Sequence, residues 1–155
     1  MMSCCSKIIC NGCSYANQKR EFEQGLDHRC AFCREPVGKS QEQSVKQLME
    51  RIKKYNDPAA MAQMGGTRFK EGDYDKAFEY FTKAAELGDV DARYRLGSMY
   101  DEGKGVDADE EKAIHHLEQA AICGHTQARG ILGTHEKNKG RFKRAARHFI
   151  INANL

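Results

Sequence analysis

No run of this 155-residue sequence approaches the ~20 consecutive apolar residues that cross a bilayer, so no membrane-spanning segment is expected. The apolar stretch around Ile8 and Ile9 is also too short for the h-region of a secretory signal. Without that route the expected compartment is cytoplasmic or nuclear, where structural disulfides are rare. Proline is nearly missing, with 2 residues, and tryptophan is absent. So few helix breakers suit a mostly helical chain, and 40% apolar residues still suffice for a core. Acidic residues are almost lacking from residues 126–155, where seven Lys or Arg face one Glu. Residues 90–125 invert this with four basic against eight acidic, and residues 1–56 carry ten against six. Such alternation belongs either to solvated faces or to surfaces that steer one another.

Cysteine is the residue the chain concentrates. Six of seven lie before residue 34: Cys4, Cys5, Cys10, Cys13, Cys30 and Cys33. "CNGC" and "CAFC" are two C-x-x-C knuckles, separated by a gap within the ~15–20 residues expected between the halves of a zinc site. The two-residue spacing lets both thiolates of a knuckle face one ion. Zn2+ suits such a set because it takes tetrahedral sulfur coordination without redox chemistry. Lys7, Lys19, Arg20, Arg29 and Arg34 offset the surplus negative charge of several thiolates. A thioredoxin-like motif lacks its βαβ context here. Lipidation of Cys4 and Cys5 has no accompanying myristoylation signal, and His28 reads as a loop residue. Residues 1–36 are therefore expected to form a small zinc-binding module holding one ion or two.

In a simple ribbon, Cys10, Cys13, Cys30 and Cys33 would share one ion. Alternatively, "CSKIICNGC" followed by "HRCAFCREP" resembles the later part of a RING finger, whose interleaved pairs bind two ions. The resemblance puts Cys5, Cys10, Cys13, Cys30 and Cys33 on the third, fifth, sixth, seventh and eighth ligand positions. Lys7 falls on the fourth, where an ammonium cannot bind zinc, and Cys4 is the substitute. That would give Cys4, Cys5, Cys30 and Cys33 at one site and leave Cys10 and Cys13 at an incomplete one. Ala31 replaces the usual Pro, and the first RING knuckle would lie upstream of Met1. Arg34, directly after the last thiol, matches the arginine with which RING ligases hold ubiquitin. The resemblance thus implies a ubiquitin-conjugating enzyme as partner, or the remnant of such a ligase.

Beyond "CREPVGK" the chain turns polar and then periodic. Val45, Leu48, Met49, Ile52 and Tyr55 recur at helical spacing, so residues 40–56 are expected to form a linker helix packed on the repeat that begins at residue 57. Ser40 with Gln43 reads as a capping box. "YNDP" stops that helix and starts the next, with Asp57 as N-cap and Pro58 at its first position.

Residues 57–155 repeat themselves. At a constant offset Ala60, Met64, Gly65, Gly72, Tyr74, Ala77 and Phe81 meet Ala128, Leu132, Gly133, Gly140, Phe142, Ala145 and Phe149. Half that offset is the tetratricopeptide period, and a middle copy starts at Ala92. Each copy (57–89, 90–125 and 126–155) reads as a helix pair. Its small residues admit close approach, while Leu96, Tyr100, Leu117, Phe81 and Phe149 fill between helices. Gly88 and Gly124 are expected in left-handed caps. No pair buries its apolar face alone, so stability requires stacking. "ARYRLGSMYDEGKGVDADEEKAIHHLEQAAICG" closely resembles the Sel-one-like repeat (SLR), matching at Ala92, Leu96, Gly97, Tyr100, Gly103, Gly105, Val106, Asp109, Lys112, Ala113, Ala120, Ala121 and Gly124. The resemblance implies an all-α fold, an α-solenoid of three SLR helix pairs with a concave face that takes a partner protein, without catalysis.

Cys123 aligns with Leu87 and is expected to be a packed thiol, and His115 with His116 make no second metal site. The basic run "KNKGRFKRAARH" could touch phosphates, but it lacks the stacking aromatics of single-strand binders, which sets nucleic acid behind protein. Ile150, Ile151 and Leu155 leave an apolar repeat end, so self-association there, or a chain cut from a longer one, is expected. The expected activity is a zinc-binding adaptor, with a RING-type ligase recruiting substrate through the repeats as the alternative.

Overall fold

The computed structural model describes residues 40–153, with side chains described to residue 151. Seven helices and no strand occur among them: α1 (Gln41–Tyr55), α2 (Pro58–Lys70), α3 (Tyr74–Glu86), α4 (Val90–Glu102), α5 (Glu110–Ile122), α6 (Thr126–Asn138) and α7 (Phe142–Ala153). The chain divides into two compact units, Met1–Met64 and Gly65–Leu155, and α2 runs from one into the other. None of the described helices is long and apolar enough to cross a membrane.

In the first unit, Ser40 Oγ accepts from the Gln43 amide at 3.2 Å and caps α1. Asn56 ends that helix at φ 48°, its amide bonding Ile52 O at 3.0 Å. Asp57 Oδ1 then accepts from the amides of Ala59 and Ala60 at 3.0 and 3.2 Å, starting α2 as its sequence predicts. The apolar stripe of α1 is narrower than its spacing predicts. Leu48 is buried, but Met49 is 51% and Tyr55 66% exposed. The buried place goes instead to Arg51, whose guanidinium is paired with the Asp57 carboxylate. A charge tolerates burial only with such a partner, and this one joins the body of α1 to the cap of α2.

The second unit is a sequential stack in which α3 packs on α4, α4 on α5, α5 on α6 and α6 on α7. Its three-residue turns, at 87–89, 123–125 and 139–141, share one backbone geometry. Gly88 and Gly124 have φ 90° and 89°. The Gly88 amide bonds Ala85 O at 3.0 Å and the Asp89 amide bonds Ala84 O at 2.9 Å, the paired bonds of a Schellman cap. The residue after the glycine then caps the next helix: Asp89 Oδ1 accepts from Ala92 N at 2.7 Å. One residue thus closes one helix and opens another, so the turn needs no further length.

Within each pair the helices touch through a glycine. A Cβ on Gly97 would lie 2.7 Å from Leu117 Cγ, closer than atoms can approach. Gly65 meets Phe81 and Gly133 meets Phe149 in the same way. Phe81, Leu96 and Leu117 are buried as the repeat pattern predicts, but Phe149 is 42% exposed. It shares the repeat position of Phe81 and Leu117, yet no described helix lies beyond α7 to cover it.

The longer turn between α4 and α5 carries "GKGV". Gly105, at φ 70°, brings its backbone so near α3 that a Cβ would stand 2.5 Å from Tyr74 O. Lys104 lies over the rings of Phe69 and Tyr74 at 5.6 and 6.0 Å. This loop therefore binds the second helix pair to the first.

Candidate functional site

An open groove of about 560 Å³ runs along α6. That helix presents Gln127, Gly130, Ile131, Thr134, His135 and Asn138, at the three- and four-residue spacing of a single face. Asp101 from the last turn of α4 and Phe149 from α7 complete the walls. The opposite face of α6 is core, where Ala128 and Leu132 are buried against Leu117, Ala120 and Ala121. The groove face is thus what remains of an amphipathic helix once the repeat has claimed its apolar side.

Both ends of α6 are held. At its start, His125 replaces the Asp used at the caps of α3, α4 and α5. Its Nδ1 accepts from the Ala128 amide at 3.1 Å, while its Nε2 lies 3.2 Å from Asp91 Oδ1. The ring stacks on Tyr94 at 4.4 Å, so one side chain joins α6 to α4. Arg129 reaches back to Ala121 O at 2.7 Å, repeating the longer contact of Arg93 with Ala85 O at 3.5 Å.

At the far end, Glu110 on α5 lies 2.7 Å from Lys139 Nζ and 3.3 Å from His135 Nε2. The Lys139 hydrogen bond holds the Glu110 carboxyl below its usual range, with His135 and Arg141 adding to the effect. Arg141 forks onto both oxygens of Glu136 at 2.7 and 2.8 Å, and that bond lowers the Glu136 carboxyl likewise. The basic run after α6 is therefore partly spent on local ion pairs.

The lining suits binding. Gln127 and Asn138 offer amide donors and acceptors, Ile131 and Phe149 offer apolar contact, and Gly130 lets a ligand backbone come close. Thr134 Oγ1 donates to Gly130 O at 3.1 Å. Among the described residues no three His, Cys, Asp or Glu come together to hold a metal. His116 stacks on Tyr100 at 5.6 Å, and burial, then the neighbouring His115 and Arg93, push its imidazole below 6.5.

The cysteines of the expected metal module (Cys4, Cys5, Cys10, Cys13, Cys30 and Cys33) and Arg34 lie outside the described residues. Cys123 differs from its expectation: it is exposed. It occupies the C-cap position after α5, as Leu87 does after α3, and that position faces out in both repeats. The groove residues were missed by motif reading. The signal that marks them is a contrast between copies: Ala128, Leu132 and Gly133 repeat Ala92, Leu96 and Gly97, while Gln127, Ile131 and Thr134 stand where Asp91, Arg95 and Ser98 do.

Residues 58–89 and 90–125 match the family model of the Sel1 repeat. Among solved structures, a Sel1 repeat protein from Oxalobacter formigenes is similar at 25% identity and a TM-score of 0.66, over 91% of this chain and 56% of that one. The antigen c5321 of uropathogenic Escherichia coli, which displays an SLR fold, is 26% identical with a TM-score of 0.66, over 92% of this chain and 30% of its own. The alginate biosynthesis protein AlgK of Pseudomonas putida is 33% identical over 87 residues, 55% of this chain and 18% of AlgK. The chain thus spans less than two thirds of the length of each.

Proposed function

We propose that this chain, whose residues 58–125 are Sel1 repeats, is a protein-interaction adaptor with a zinc-held head. In this reading residues 57–155 act as three repeats, and the α6 groove takes an extended segment of a partner protein. The observation that carries it is the lining: two amide side chains, Gln127 and Asn138, stand at the ends of one anchored helix face with Ile131 between them, and Phe149 and one carboxylate, Asp101, complete the groove. Amide side chains of this kind hydrogen-bond a peptide main chain whatever its sequence, and apolar seats beside them select side chains. Selection of a random peptide library on the full chain is expected to enrich one consensus. Thr134→Arg, which fills the middle of the groove from an exposed position, is expected to abolish that enrichment. A library that yields no consensus, or one that Thr134→Arg leaves intact, overturns the groove.

The head is supported by spacing alone. Cys10, Cys13, Cys30 and Cys33 suit one Zn2+, and Cys4 with Cys5 supply thiols for a second. Metal analysis of purified protein is expected to find one or two zinc ions per chain, fewer when Cys10 and Cys13 are both changed to Ser. Zinc-free protein rejects the head. Arg34 beside the last thiol supports the second reading, a RING-type ligase. Ubiquitin transfer with a panel of conjugating enzymes, lost on Arg34→Ala, would favour it over the adaptor.

A further inference from the structure

Asp101 is the one carboxylate lining the α6 groove, and the repeat pattern does not ask for an acid there. In the last turn of the first helix of each pair, Phe69 holds that place in the first copy and Lys137 in the third. The last turn of α4 carries no basic residue. The C-terminal end of a helix is also the negative end of its dipole, an unfavourable place for an anion. Neighbouring carboxylates have their charge answered: Glu102 meets Lys104 Nζ at 2.6 Å, Asp109 meets Lys112 Nζ at 3.2 Å, and Glu110 meets Lys139 Nζ at 2.7 Å. Asp101 is exposed, and its carboxylate has no hydrogen-bond or ion-pair partner among the described residues. His135, the other titratable side chain on the groove, has its Nε2 3.3 Å from Glu110 Oε1 instead. Ile131, on the same groove, packs partly buried against Leu117, Ala128 and Leu132, which makes it a fixed apolar seat.

We propose that the partner segment held by the groove carries one Lys or Arg that pairs with Asp101, and an apolar side chain a few residues away that rests on Ile131. The inference depends on the adaptor reading of the groove and adds the charge its occupant bears. The surrounding copy supplies the field, since residues 90–125 hold four Lys or Arg against eight Asp or Glu, and a cation is drawn to the α4 side. That cation meets an anion which folding leaves unneutralised, so no existing pair has to break. Arg is favoured over Lys because its fork matches a carboxylate. An acidic segment of the same shape is repelled, so Asp101 sets specificity more than affinity.

The test is selection of a random peptide library on the full chain as wild type, Asp101→Asn and Asp101→Lys. Wild type is expected to enrich a consensus with one fixed Lys or Arg. Asp101→Lys is expected to turn that position to Asp or Glu while keeping the apolar one. With a fluorescent peptide of the wild-type consensus, Asp101→Asn is expected to weaken binding about two- to fivefold, the range of an exposed ion pair, and Asp101→Lys to weaken it further. Raising salt from ~50 to ~300 mM weakens wild-type binding and affects Asp101→Asn much less. Both substitutions relieve the helix end, so neither is expected to lower the melting temperature, which separates lost recognition from lost folding. A consensus without a fixed cation, or one that Asp101→Lys leaves unchanged, overturns this proposal and leaves the groove standing if Thr134→Arg abolishes it. No consensus from any of the three proteins overturns the groove and this inference together. A concentration-dependent dimer in sedimentation that Asp101→Lys dissolves also overturns it, because the cation then comes from a second copy of the chain.

Discussion

Gly66 and Gly97 both lie inside helices, and replacing each by alanine moves stability in opposite directions. Nothing approaches within 4 Å of where a Cβ on Gly66 would sit. Gly66→Ala therefore gains the helix preference of alanine, up to about 1 kcal/mol. A Cβ on Gly97 would meet Leu117 Cγ at 2.7 Å and the backbone oxygen of Ala113 at 3.1 Å. Overpacking of this kind costs about 1–3 kcal/mol and exceeds the propensity gain, so Gly97→Ala lowers the denaturant midpoint that Gly66→Ala raises. His116 supplies a pH test. Burial holds its folded imidazole below 6.5, so the unfolded chain binds that proton first as acid is added. Its contribution to stability is full above pH ~6.5 and lost as pH falls through the folded value. His116→Phe keeps a ring on Tyr100 and is expected to flatten the decline in melting temperature between pH ~7 and ~5; an unchanged decline rules His116 out as its source.

At the scale of elements, the helix starts were readable and the faces less so. Ser40, Asp57, Asp73, Asp89 and Asp109 all cap as their residue type predicts, because the cap is a local bond from a short oxygen-bearing side chain to an amide two or three residues on. His125 does the same with a ring nitrogen, and only its stacking on Tyr94 and approach to Asp91 place it so. His125→Ala is expected to cost about 1 kcal/mol and to raise amide exchange first at Ala128. Exchange unchanged there means that the cap contributes nothing to α6. The stripe of α1 misled because helical spacing does not say how wide the covered face is. Met49 is exposed and Arg51 buried there, an outcome set by the Asp57 carboxylate at the head of the next helix.

For the whole molecule, position in the stack matters as much as position in the repeat. Phe81 and Phe149 occupy one repeat site, but the first is buried and the second half-exposed. Large-to-small changes in a closed core cost about 3–5 kcal/mol, so Phe81→Ala is expected in that range and Phe149→Ala at about half or less. Equal losses in urea melts would show that the face of α7 is covered in solution. Stability in such arrays is a sum of units and nearest-neighbour interfaces.

The amino-acid sequence by itself determined the helices, their pairing and the turns, because each rests on contacts a few residues apart or on a motif that recurs. "GDVDARYRLG" carries a C-terminal glycine, a capping aspartate and a core alanine, leucine and glycine in order. Tertiary structure alone decided which faces were left over. Neither the groove on α6 nor the open side of α7 has a motif, since each is defined by the neighbour it meets or lacks. Phe149 shows it most plainly: it stands at the repeat position of buried Phe81, yet it is half-exposed because, among the described residues, no further helix packs on α7.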